Sequence, residues 1–204
     1  MMKKLLVAGL VCFSSLSHAA LISSSADPAL AGGSVINFTG MADGNASSYT
    51  VGDVTFSTTG GTLRIAPFGE GGSSWLGSGQ TLTTRDTTVS SFSIAFANPV
   101  SAFGMDWGAA NPSWNVSLYD ASNTLLESVV FVGGSAGASF SEFYGASNAN
   151  ISRVELTSIG GYDWVIVDDF TYVAGRNQVP EPGSMALVAL AMVGLGIYNY
   201  QRLP

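Results

Sequence analysis

Few side chains in this sequence are equipped for chemistry, and they are scattered. Trp107 and Trp114 flank a Gly-Ala-Ala-Asn-Pro-Ser loop. A flat aromatic ring stacks on the apolar face of a sugar while neighbouring amides and carboxylates bond its hydroxyls, so Trp114, Asn111 and Asp106 make a candidate glycan platform. Trp107 continues the apolar alternation of Phe103 and Met105 and belongs in the core. Asp163, Asp168 and Asp169 gather toward the C-terminal side, with Asp168 on the same face as Ile166 and Phe170 if the strand there is regular. A carboxylate among apolar neighbours needs a partner, because burying it unpaired is costly. Glu70, Glu127, Glu142 and Glu155 raise the option of two carboxylates flanking a glycosidic bond. No spacing singles out a pair, and solvated charges are the ordinary reading. The glycine-rich run Gly69–Ser74 lacks the lysine and the following helix that a phosphate cradle needs, so it is a loop.

Composition removes other chemistries. The single cysteine and single histidine are Cys12 and His18, both inside the first 19 residues. That segment opens with Lys3 and Lys4, runs through the apolar stretch Leu5–Phe13 and ends in small residues, the pattern of a secretory signal peptide. Ser17 and Ala19 are small enough for signal peptidase, which places the cut between Ala19 and Ala20. The apolar run is about half of the roughly 20 residues a spanning helix needs. Cys12 follows Val11 within that run and is no lipid attachment site. Without residues 1–19 there is no cysteine or histidine, which excludes Cys-His and Ser-His-Asp nucleophiles, disulfides and the usual zinc sites. Of seven basic residues, Lys3 and Lys4 leave with the leader, so five remain against fourteen acidic ones. Affinity for phosphate backbones rests on clustered Lys and Arg, so nucleic acid is not an expected partner.

Strands must position what remains. Phe92, Ile94 and Phe96 share one face, with Ser91, Ser93 and Ala95 on the other. After an expected break at Asn98-Pro99 the alternation resumes at Phe103, and again at Val116 and Leu118. Further short strands are predicted at Val35–Phe38, Val54–Ser57, Thr62–Ile65, Gln80–Thr83, Val129–Val132, Phe140–Tyr144, around Val154 and Leu156, and over Trp164–Val173. About ten short strands separated by Gly, Ser, Asn and Asp turns predict an all-β fold, a single antiparallel sandwich or jelly roll over residues 20–178. Charged residues are only 10% of the chain, so its surface is carried by Ser, Thr, Asn and Gly.

Residues 179–204 read differently. Met185–Tyr198 contains no charge, Arg202 follows, and Gly194 and Gly196 suit a membrane helix better than a soluble one. The predicted transmembrane helix covers about residues 184–200, short against a hydrocarbon core of about 30 Å. Val179, Pro180, Glu181, Pro182 and Gly183, then the apolar segment and a basic tip, closely resemble the PEP-CTERM sorting signal of exported bacterial proteins. The resemblance implies recognition by an exosortase, a membrane transpeptidase, with processing at Val179–Pro182. Family tails usually carry several arginines, and this one has Arg202 alone.

The passenger shows a further resemblance. An early Ile-Asn-Phe, then Val-Gly-Asp-Val-Thr-Phe, Val-Ser-Ala-Phe-Gly-Met-Asp-Trp and a closing Val-Asp-Asp-Phe-Thr-Tyr occur in the order of β-sandwich domains found ahead of such signals. The closing pattern also resembles jelly-roll carbohydrate-binding modules, which implies a structural calcium held by Asp168 with oxygens from near the N-terminus, such as Asp27, Asn37 or Asp43. The expected function is that of a non-catalytic envelope or extracellular-matrix protein. The partners are signal peptidase, exosortase, the membrane and extracellular polysaccharide, with a carbohydrate-binding module as the alternative and a carboxylate glycan hydrolase behind it.

Overall fold

Phe92, Ile94, Phe96, Phe103, Met105 and Trp107 are all buried in one core, as side chains on a two-residue period facing a second layer should be. They lie on a single strand in the computed structural model, which describes residues 19–67, 79–84, 89–134 and 141–175. The signal peptide before Ala19, Glu70, the Gly69–Ser74 loop, the Val179–Pro182 motif and the predicted membrane helix lie outside the described residues. Among those described, no helix is long and apolar enough to cross a membrane.

The strands are β1 (Ala20–Ile22), β2 (Ser34–Ile36), β3 (Gly44–Ala46), β4 (Ser48–Val51), β5 (Val54–Ser57), β6 (Leu63–Pro67), β7 (Gln80–Thr83), β8 (Ser91–Gly108), β9 (Trp114–Tyr119), β10 (Leu125–Phe131), β11 (Ser141–Ser158) and β12 (Ile166–Ala174). A single 3-10 turn, Pro28–Leu30, sits between β1 and β2. Asp27 caps it, Oδ1 accepting the Ala29 N–H at 2.8 Å.

Every pairing is antiparallel. β8 and β11, 18 residues each, pair from Ser141 opposite Gly108 to Thr157 opposite Ser91. Their register slips on either side of the Ile151–Val100 pair, and this slip is a corner. On one side of it the order is β10-β9-β11-β8-β5-β4; on the other it is β1-β11-β8-β12-β7-β6-β3, with β2 also on β12. The two halves close on each other: Phe56 of β5 meets Phe170 of β12 at 5.2 Å, and Trp107 of β8 meets Trp114 of β9 at 5.4 Å, both edge to face. Each fully buried ring or branched side chain in this layer contributes roughly 1.5–3 kcal/mol.

The break expected at Asn98-Pro99 is therefore a bend inside one strand. Proline has no N–H to give a ladder, and here it falls where residues 97–99 are exposed and unpaired with β11. Its carbonyl is used instead, accepting the Gly175 N–H at 2.8 Å. Beyond the corner, Gly145 stands opposite Gly104. A Cβ on Gly145 would lie 2.1 Å from the Phe103 carbonyl oxygen, and one on Gly104 would lie 2.6 Å from the Phe143 ring. Close approach of two backbones, with an aromatic ring laid over them, requires glycine at both positions.

Candidate functional site

Trp114, Asn111 and Asp106 do not assemble into a platform. Trp114 continues inward the alternation of Val116 and Leu118 and is 0% exposed, so its ring offers no face to a sugar. Its Nε1 donates to Asp163 Oδ2 at 3.1 Å, and the Asn111 backbone N–H donates to the same oxygen at 3.3 Å. Burial pushes the Asp163 carboxyl above the ordinary carboxylate range, and hydrogen bonds from Trp114 and Asn111 pull against that rise. Around it Thr84 Oγ1 donates to the Asp163 carbonyl (2.8 Å), Ile159 N–H to the Ser113 carbonyl (2.9 Å) and Gly134 N–H to the Ala110 carbonyl (2.9 Å). The side chain predicted to bind a ligand instead helps tie loops together through a buried acid. Asn111 remains exposed beside this network, as does Tyr162.

Asp106 lies elsewhere, directly opposite Asp168. Along β12, Ile166 packs with Ala109 and Trp164 while Val167 enters the main core. The β12–β8 register then shifts between Asp168 and Thr171, where Asp169 adopts φ 43° and donates its backbone N–H to Asp168 Oδ1 at 2.8 Å. The extra residue returns Phe170 to the core. Asp168 consequently shares a face with Ile166 and not with Phe170, a departure from the regular strand expected. It is buried, and its carboxyl is pushed up to about 7 by that burial. The Asp169 N–H opposes the rise, and the Asp169 and Asp106 carboxylates add to it. Burial likewise raises Asp106, with Asp169 contributing.

Asp106 and Asp169 line a cavity of about 410 Å³ together with Ser25, Gly32, Gly33 and Thr171. The N-terminal segment thus meets the last strand. Asp27 spends one oxygen on its turn, and among the described residues no three acidic side chains converge as a metal group. The carboxylates lining this cavity are Asp106 and Asp169, and the expected ligand Asp168 is buried beside them, opposite Asp106.

The outward face of the other half carries a row across strands that the alternation of single strands does not show. Ser57, Ser93, Glu155, Ser117 and Ser128 are successive register partners across β5, β8, β11, β9 and β10. Ser57 and Ser93 bond through their hydroxyls at 3.0 Å, and Ser117 and Ser128 at 3.2 Å. The next row holds Thr55, Ala95, Arg153 and Tyr119. The Arg153 guanidinium sits 4.0 Å from the Tyr119 ring centroid and pairs with Glu155. A groove of about 210 Å³ opens on this face between Thr58, Ser91, Ser93, Glu155 and Thr157. Each strand contributes one member of the row, so only the register reveals it.

Residues 178–198 match the PEP-CTERM protein-sorting motif. No curated protein matches the chain in sequence. Among solved structures, the chain is similar to the enzymatically active domain of tailspike protein 4 of bacteriophage CBA120, at 14% identity and a TM-score of 0.37, over 61% of this chain and 20% of that one. It thus spans about a fifth of that domain's length. It is also similar to a variant of a family 29 carbohydrate-binding module, at 9% identity and a TM-score of 0.36, over 74% and 99%. A third is CsCBM6-3 of Clostridium stercorarium in complex with cellobiose, at 15% identity and a TM-score of 0.37, over 66% and 94%. Likenesses this distant carry no ligand or activity across.

Proposed function

We propose that this chain is a non-catalytic protein of the cell envelope or extracellular matrix, exported and sorted by an exosortase through its C-terminal motif. The motif at residues 178–198 carries the reading. Such a signal implies export with a C-terminal membrane anchor before sorting. Its first residue, Gln178, follows Gly175, the last residue seen bonded to the sheet, after only Arg176 and Asn177. The domain is cargo carried right up to the motif. In this reading signal peptidase frees Ala20 and the exosortase acts at Val179–Pro182.

The test is the intact mass of the protein from envelope and medium, in host cells with and without the exosortase. A product ending near Pro180–Pro182 only when the enzyme is present supports sorting. A product retaining Pro204 in both strains means an ordinary anchor and ends the reading.

Polysaccharide contact is the second reading, and the outward serine row favours it. A flat face of hydroxyls with one aromatic ring and one Arg–Glu pair suits a polyhydroxylated chain, and it takes the place of Trp114. The Tyr119→Ala variant should lose mobility retardation in gels containing the host's polysaccharide while keeping its fold. Equal retardation of both forms removes this face from consideration. Calcium belongs to the same proposal, held by Asp168 and Asp106; when bound it would offset the repulsion between their like charges and brace the N-terminal segment against β12.

A further inference from the structure

Both ends of the folded domain leave from the same pole, and we infer that this pole faces the membrane while the looped pole of the Asp163 network points away. The inference rests on the reading that the C-terminal segment enters the bilayer.

A transverse ladder fixes the geometry. Ala20, the first residue of β1, pairs with Ser147; Ser147 pairs with Ala102; Ala102 pairs with Val173. Three strand spacings of about 4.8 Å separate the chain's entry from its exit by roughly 14 Å. β1 leads away from this pole and β12 returns to it, ending at Ala174 opposite Val100. The corner of β8 and β11 lies here, as do the turn at Asp53, whose carbonyl accepts the Ala97 N–H at 2.8 Å, and the Asp120–Asn123 turn. At the far pole are Gly108, Ser141 and Ile166, which are mutual partners, with Trp114 opposite Phe131 and Ser158. From Val100 to Gly108 the strand covers about 26 Å at roughly 3.3 Å per residue.

The tether is short. From Gly175 to the predicted start of the membrane helix at about residue 184 is nine residues, at most about 30 Å of fully extended chain. Turning the far pole to the bilayer would hold the exit point at least about 26 Å away, which demands a nearly fully extended tether and the loss of its chain entropy.

Charge agrees with this placement. The near pole presents small neutral side chains, Ala97, Asn98, Pro99, Ser122, Asn123 and Ala149. Its carboxylates among the described residues are Asp53 and Asp120, and Asp120 Oδ1 is engaged by the Ser122 and Thr124 amides, both at 2.8 Å. Asp106, Glu142, Asp163, Asp168 and Asp169 lie on the distal half of the ladder. Anionic lipid headgroups repel carboxylates, so this is the pole that can approach them with least repulsion.

Cys12 is the only cysteine, so single thiols can report position in the full chain. In a Cys12→Ser background, a fluorophore is placed on Asn98→Cys or Ser122→Cys at the near pole, and on Asn111→Cys or Ile159→Cys at the far pole. The chains are reconstituted in phosphatidylcholine vesicles carrying a headgroup-nitroxide lipid. Quenching several-fold stronger at both near positions than at both far positions is expected. Equal quenching at all four, or stronger quenching at the far pole, overturns the orientation. Flotation of the same samples separates the two ideas: a chain that fails to float with the vesicles overturns membrane anchoring itself, whereas one that floats with position-independent quenching overturns only the orientation.

Discussion

Asp106 and Asp168 stand directly opposite one another on neighbouring antiparallel strands, where like charges destabilise a sheet. Burial raises both carboxyls, Asp168 to about 7. A carboxyl raised in the folded state holds a proton that the unfolded chain has already lost, so its stabilising effect is present at low pH and declines as pH rises from about 4 to about 7. The thermal midpoint should therefore fall between pH 5 and pH 7.5, and Asp168→Asn should flatten that slope and raise the midpoint at pH 7.5 by a few degrees. Scanning calorimetry of both proteins across this range checks it; parallel slopes would show that Asp168 does not titrate there.

Calcium should act on the same pair. If Asp106 and Asp168 hold it, millimolar calcium raises the midpoint of the wild-type protein at pH 7.5 and leaves that of Asp168→Asn unmoved. Magnesium, which dehydrates reluctantly and demands tighter geometry, should do less. An equal rise in both proteins would place the ion elsewhere.

Two tryptophans of the same core should respond differently to the same change. Trp114 Nε1 bonds Asp163, whereas Trp107 Nε1 is buried without a hydrogen-bond partner among the described residues. Trp114→Phe removes a bond from a buried acid and should cost roughly 1–3 kcal/mol more than Trp107→Phe, which loses similar volume and no bond. Urea denaturation of the two variants measures the difference. Matching losses would mean that packing alone governs both sites.

Gly145→Ala should cost roughly 1–3 kcal/mol or more, because the new methyl meets the Phe103 backbone. Gly60→Ala, whose methyl meets nothing within 4 Å, is the control and should stay within about 0.5 kcal/mol. Denaturation midpoints compare the pair.

Much of this architecture is legible in the residues. Phe92, Ile94 and Phe96 announce an inward face, and Phe103, Met105 and Trp107 announce another, because burial against a second layer imposes a two-residue period. The same period extends through Trp114, Val116 and Leu118, so the burial of Trp114 was available to inspection. What hid it was the chemistry of tryptophan, which suits a binding surface as well as a core. The face of Asp168 was not legible, since it depends on one left-handed residue, Asp169, that nothing in Val-Asp-Asp-Phe requires. Nor was the serine row, which exists only once five strands are set in register.

The corner shared by β8 and β11 has a bearing on how the domain comes apart. Each of these strands belongs to both layers, so neither layer can be lost while the other keeps a complete central pair. Partial openings of the kind that expose one sheet of a two-sheet domain are thereby suppressed, and the described domain should melt in one all-or-none step. For an exported protein, that leaves proteases little to grip between the intact and the fully unravelled chain.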